Sequence, residues 1–157
     1  MRNDKLTAII RLSAVLPSLS RFEFVAQSGA ASGVSWNGWG TGAVDVVRQQ
    51  DNVRFFESGT FTPDGQDRSL PMRNVYRWDL HSERISLSHE RRGAAAAVWL
   101  FDLVASDGDT LVSAEVHQCA ADAYSATLTL VSNGIDLEWR IVGPRKDERI
   151  LYRYRAG

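Results

Sequence analysis

The sequence predicts a mainly β fold: an antiparallel sandwich or barrel with one helix at the N-terminus. Three observations predict it. Short runs alternate apolar and polar side chains, as half-buried strands do. Turn residues with a definite mechanism separate these runs at short intervals. Helical spacing occurs once, at the start of the 157-residue chain.

The N-terminal segment, residues 1–16, carries Leu6, Ile9, Ile10, Ser13 and Leu16 at helical spacing. Asn3 or Asp4 can cap it, because a short polar side chain satisfies orphan amides of the first turn. Pro17 ends it. Arg11 interrupts the apolar run and no clean small-residue cleavage site follows, so the segment reads as part of the mature protein.

Ten strands follow, over residues 21–27, 36–48, 53–61, 70–80, 85–90, 96–104, 111–119, 125–131, 135–142 and 148–154. Residues 28–33 form a small-residue loop. Gly38, Gly40 and Gly42 recur at period two, so they share one strand face. They predict a sharply bent strand or a close backbone approach. A phosphate loop is disfavoured, because no Walker pattern is present and no helix signal follows. Pro63-Asp64-Gly65, Ser82-Glu83 and Asp107-Gly108-Asp109 supply turns, and Asn133-Gly134 predicts a type I′ hairpin. Residues 120–123 read as a bend. The strands fill the chain to its end, so a single domain over residues 1–157 is expected, with 1–17 as helix and lead-in.

Composition narrows the function classes. Hydrophobic residues make up 44% and charged residues 24%, the balance of a folded globular chain. Eighteen basic against nineteen acidic residues leave no footprint for a polyanion, so nucleic acid is not the expected partner. One cysteine excludes an internal disulfide and a cysteine-built zinc site, and fits a reducing, cytoplasmic compartment. No apolar run reaches the roughly 20 residues of a membrane-spanning helix.

Several motifs stand out in the C-terminal half. They are His117-x-Cys119-x-x-Asp122-x-Tyr124, then Trp139 and Gly143-Pro144-Arg145-Lys146-Asp147. With Arg73-x-x-Tyr76 and Phe101-Asp102-Leu103, they resemble a family of small single-domain bacterial and fungal proteins of unassigned function. The resemblance spans roughly Phe22 to Arg155. It implies a lipocalin-like (calycin) up-and-down barrel of about eight to ten strands, and it implies no activity. The first strand reads Ser20-Arg21-Phe22-Glu23-Phe24, without the Gly-x-Trp that often opens lipocalin-like barrels.

Candidate chemistry centres on the same residues. His117 and Cys119 are two apart and share a strand face. A cysteine nucleophile with a histidine base is conceivable in residue type, but no oxyanion donor set is visible. A buried network is favoured, with His117 bonded to Asp122 or Tyr124 and Cys119 as a small core residue. Axial haem ligation by His81, His89 or His117 is disfavoured, as is a metal at His117 with Glu115. No cofactor is expected.

Arg145 at the Gly143-Pro144 turn reads first as a solvated or ion-paired residue, and second as an anion-binding group. Arg73, Arg77, Arg140 and Arg153 are further anion candidates, with Glu57, Asp79 and Glu115 available to neutralise them. Trp36, Trp39, Trp78, Trp99 and Trp139 serve the core or wall a pocket.

The leading expectation is a non-enzymatic barrel that binds a small, partly apolar, acidic ligand in its interior. Arg73, Tyr76, Arg77, His117, Tyr124, Arg145 and Arg153 are the expected polar pocket residues. The alternatives are a small barrel enzyme using His117 with Asp122 or Glu115, and a filled barrel that serves as an interaction module or homodimer.

Overall fold

The computed structural model describes residues 2–29, 37–90, 92–115, 117–119 and 121–157, with side chains from Leu6 onward except at 117–119. Helix α1 (Arg2–Val15) runs into a 3-10 turn (Leu16–Ser18) that holds Pro17. Eleven strands follow: β1 (Leu19–Ser28), β2 (Gly38–Gln49), β3 (Asn52–Pro63), β4 (Leu70–Leu80), β5 (Ile85–His89), β6 (Val98–Ala105), β7 (Thr110–Ser113), β8 (His117–Cys119), β9 (Asp122–Val131), β10 (Gly134–Gly143) and β11 (Lys146–Ala156). Every pairing is antiparallel.

Apart from β7 and β8, which both pair with β9, each strand pairs with its neighbours in sequence, and β11 returns to β1, so the sheet closes on itself. The result is a closed ten-strand up-and-down barrel, with β7 and β8 sharing one place in the wall beside β9. Closure removes the unpaired edges that an open sheet would expose. Among the described residues no helix is long and apolar enough to cross a membrane.

The glycines of β2 explain how large rings fit inside. Phe24 of β1, Gly40 of β2 and Phe61 of β3 are consecutive partners across the sheet. The two phenyl rings lean over the glycine strand and stack, with centroids 5.8 Å apart and planes within 4°. A Cβ on Gly40 would lie 2.1 Å from the Phe24 ring. The period-two glycines therefore make room for aromatic rings that reach over from both neighbouring strands. Of the loop expected over residues 28–33, Ser28 belongs to β1, and residues 30–33, like Trp36, lie outside the described residues.

Helix α1 closes one end of the barrel. It packs against β6 and β9, and Arg11 donates to the Gly108 carbonyl at 2.8 Å and pairs with Asp109 in the β6–β7 turn. Its buried stripe is Ala8, Ile9, Leu12 and the following Leu16. The expected stripe is thus rotated: Leu6 and Ile10 are exposed, and Ser13 is only half-buried. The side chains of Asn3 and Asp4, expected as caps, lie outside the described residues.

Three local expectations are corrected. The β9–β10 hairpin turns at Ser132-Asn133, not Asn133-Gly134, because Gly134 is already paired with Val131. Asn133 carries the positive φ of 99°, while a Cβ on Gly134 would lie 1.9 Å from the Tyr154 carbonyl oxygen. The single strand expected over 111–119 is broken. Ser113 Oγ accepts the Ala126 amide at 3.1 Å and the Ala114 amide donates to Asp102, so the chain leaves β9 and stays with β6. The expected bend over 120–123 is shorter, since β9 begins at Asp122.

The helix stripe makes a direct prediction. Leu12 is fully buried and Ile10 is 67% exposed. Leu12→Ala should destabilise the barrel by about 2–5 kcal/mol through a cavity. Ile10→Ala should change stability by less than about 0.5 kcal/mol. Urea denaturation of the two variants checks both values.

Candidate ligand-binding site

The barrel interior divides into two halves. Under α1, inward side chains such as Val53, Phe55, Trp78, Leu103, Leu128 and Ile135 are sealed from solvent. Toward the opposite end the inward positions become half-buried: Phe24, Phe61, Met72, Asn74, Tyr124 and Ile150. Strand alternation places them on the same face as the sealed core. The interior is therefore sealed under α1 and, toward the other end, half-buried at these positions, with Phe24, Met72 and Ile150 packed against the core and Ala26 and Ile141 still buried.

A polar cluster sits between the halves. Glu57 lies on the inner face of β3, two residues from Phe55, and is only 2% exposed. Tyr154 Oη donates to its Oε2 at 2.6 Å. Its other oxygen, Oε1, is buried without a hydrogen-bond partner. Burial disfavours the charged form and raises the carboxyl from 4.5 to about 7, although Tyr154, Tyr152 and Asn74 draw it partly back. Burial, reinforced by neighbouring Tyr76 and Glu57, lifts the Tyr152 hydroxyl well above its ordinary value. Burial and Glu57 do the same for Tyr154, so both hydroxyls remain neutral donors.

Aromatic rings surround this cluster. Tyr152 stacks on Tyr154 at 5.1 Å and on Phe24 at 5.0 Å. Tyr76 meets Trp139 edge-on at 5.8 Å and His89 at 5.3 Å. The indole nitrogens of Trp78 and Trp139 are buried without acceptors. Buried polar atoms in folded proteins are almost always paired.

The rim opposite α1 is built by the C-terminal motif. Lys146 pairs with Asp122 at 3.3 Å. Burial pulls the Lys146 ammonium down, but the hydrogen bond and charge of Asp122, with Tyr124 and Glu148, together outweigh it and raise the group overall. A Cβ on Gly143 would lie 2.1 Å from Asp122 Oδ1, so glycine lets the acid fold over the β10–β11 turn. Arg145 is exposed on that turn.

The expected site residues do not all converge. Tyr76 is buried in the interior, and Tyr124 is half-buried on the inner face. His117 stands opposite Tyr124 in the β8–β9 ladder, and its side chain, like that of Cys119, lies outside the described residues. The arginines belong to the outer wall. Arg73 is exposed, and Arg153 is exposed and pairs with Glu23 at 3.7 Å. Arg77 pairs with Asp79 and Glu90, both at 3.0 Å, and Arg54 also holds Glu90. Strand parity explains this placement: Arg73 and Arg77 share a face with Val75 and Asp79, opposite Tyr76 and Trp78. Of the acid–base partners considered for His117, Asp122 is engaged by Lys146 and Glu115 is exposed. Among the described residues no three His, Cys, Asp or Glu side chains are grouped to hold a metal ion.

Two cavities open on the outer wall. One, of about 470 Å³, is bordered by Asn52, Arg77, Asp79, His81, Ser88 and Trp99. The other, of about 320 Å³, lies where β7 parts from β9, beside Ser113, Ser125 and Arg140.

A family model described as a family of unknown function (DUF6314) matches residues 28–156. The chain belongs to this family. No curated protein matches the chain. The matched span holds Glu57, Tyr76, Tyr152 and Tyr154, whereas α1 and nearly all of β1 precede it. Family membership thus covers the polar cluster and attaches no activity to it.

Glu57 itself gives a pH prediction. Its folded value lies above its unfolded one, so the native state favours the protonated carboxyl. That stability is fully present below about 4.5 and is lost as pH rises to about 7. The loss should be about 3 kcal/mol. Glu57→Gln, a neutral isostere, should flatten this part of the stability profile. Chemical denaturation of both proteins across that range checks it.

Proposed function

We propose that the barrel binds a small, partly apolar molecule in the half of its interior that faces away from α1. One observation carries this reading: the inner wall changes from sealed to half-exposed along the barrel axis, and its half-exposed part is largely aromatic and apolar. Sealed aliphatic side chains need no occupant, whereas an apolar inward wall left partly open gains from being covered. The Trp139 indole nitrogen, buried without an acceptor beside Tyr76, would supply a donor that orients the occupant. Of the arginines that suggested an acidic ligand, Arg73, Arg77, Arg140 and Arg153 lie on the outer wall and Arg145 is exposed on the rim turn, so none of them faces the interior.

A second reading has one observation in its favour. Val25 and Trp39 are cross-strand partners on the outer face of β1 and β2, and both are exposed. Such a pair suits contact with another copy of the chain. Light scattering of the purified protein separates a dimer from a monomer.

The ligand reading is tested with the neutral, apolar fluorophore N-phenyl-1-naphthylamine. It should bind with one molecule per barrel. Met72→Trp, which adds bulk from β4 to the half of the interior away from α1, should weaken it by at least about tenfold. Trp99→Ala, on the outer wall, should leave it unchanged. Equal binding to the Met72 variant, or loss in the Trp99 variant, would place the fluorophore elsewhere.

A further inference from the structure

We propose that the groove on the outer wall over β4, β5 and β6 binds a neutral sugar unit, seated over Ser88 between Trp99 and Arg77. The site is separate from the barrel interior.

Register builds the groove. Ser88 of β5 stands opposite Arg77 of β4 on one side and Trp99 of β6 on the other. A bulge makes this so. Leu87 pairs with Phe101 but Ser88 pairs with Trp99, so Leu100 is the extra residue of β6. Bulges re-aim side chains in this way. A small residue thus lies between two large ones whose backbones are two strand spacings, roughly 10 Å, apart. All three border the outer-wall cavity of about 470 Å³.

Floor and walls offer different contacts. Ser88 is only 4% exposed, and its hydroxyl makes no hydrogen bond with the described residues although it borders the cavity. Hydroxyls so deeply buried are nearly always paired. Trp99 is 43% exposed and is anchored through its indole nitrogen to Asp102 at 3.0 Å. An aromatic face is electron-rich and suits the C–H face of a sugar ring. Arg77 is fixed from two sides: Nε donates to Asp79 Oδ2 and Nη1 to Glu90, both at 3.0 Å. That leaves Nη2 as a donor beside Asp79 Oδ1 as an acceptor. Sugar hydroxyls donate and accept at once, so neighbouring ones match an arginine that only donates and a carboxylate that only accepts.

Charge selects a neutral ligand. Around the groove, Arg54 pairs with Glu90, Arg77 with Asp79 and Glu90, and Arg84 with Asp102. Asp51 and His81 stand exposed at its end nearer α1. A phosphate would compete with carboxylates for arginines already paired, and an ammonium would compete with those arginines for the carboxylates. A neutral polyol uses both partners of a pair and breaks neither.

NMR titration of the indole N–H signals tests the proposal with the methyl glycosides of glucose, galactose, mannose and xylose. At least one should bind, shifting the signal of Trp99 and not that of sealed Trp78. Trp99→Ala and Asp79→Ala should each weaken it by about tenfold or more, read from the ligand's own signals. Trp39→Ala, exposed on β2, should leave it unchanged. Glucosamine and glucose 6-phosphate should bind no tighter than glucose. Absence of binding by all four glycosides at about 50 mM, or equal binding to Trp99→Ala, overturns the proposal. Tighter binding of either charged sugar overturns the choice of a neutral ligand, and tighter binding of adenosine than of every glycoside overturns the sugar itself. The interior reading fails separately, since its fluorophore should stay bound in Trp99→Ala.

Discussion

The hydrogen bond from Tyr154 to Glu57 crosses the barrel interior and ties β11 to β3 at 2.6 Å. Much of the molecule is arranged around the difficulty it creates. A carboxyl this deeply buried must either find partners or give up its charge. Glu57 does some of each: one oxygen is bonded, the other is not, and the group holds its proton up to about pH 7. The tyrosines that surround it remain neutral for the same reason, namely that burial penalises their charged forms.

The rest of the fold makes such a centre possible. Closure of β11 on β1 lets ten strands bond their backbones without an edge. Glycines on β2 thin one wall so that Phe24 and Phe61 can stack over it. Helix α1 plugs one end with Ala8, Leu12 and Leu16. Outside, the charges pair among themselves. Glu90 is nearly sealed between Arg54 and Arg77, which fixes β3 and β4 against the end of β5. The barrel thus keeps its arginines on the outer wall and an acid at its centre.

The strands were legible in the sequence because period-two alternation survives in a wall that faces core on one side and water on the other. Turns at Gly65 and Asp107-Gly108-Asp109 were legible for the same local reason. The helix stripe was less so, since Ala8, a small residue that is fully buried, carries little hydrophobic signal. The break between β7 and β8 was invisible, because it depends on the Ser113 side chain replacing a ladder bond. The site was legible only in part. Tyr76 and Tyr124 show inward by parity, but Arg73, Arg77 and Arg153 fall on the opposite parity. A signal for Glu57 existed in Val53, Phe55, Glu57, Gly59 and Phe61, where one acid interrupts an apolar face. Residue chemistry drew attention to the C-terminal motif, while the buried acid sits in a strand with no motif at all. That motif builds the rim through Asp122, Gly143 and Lys146.

The most direct measurement is the ionisation of Glu57 in the intact protein, followed by carbon-13 NMR of its side-chain carboxyl. The account predicts a midpoint near 7, raised by burial beside Tyr154. A midpoint near the ordinary 4.5 would mean a solvated carboxylate, and would contradict an interior built around a buried acid.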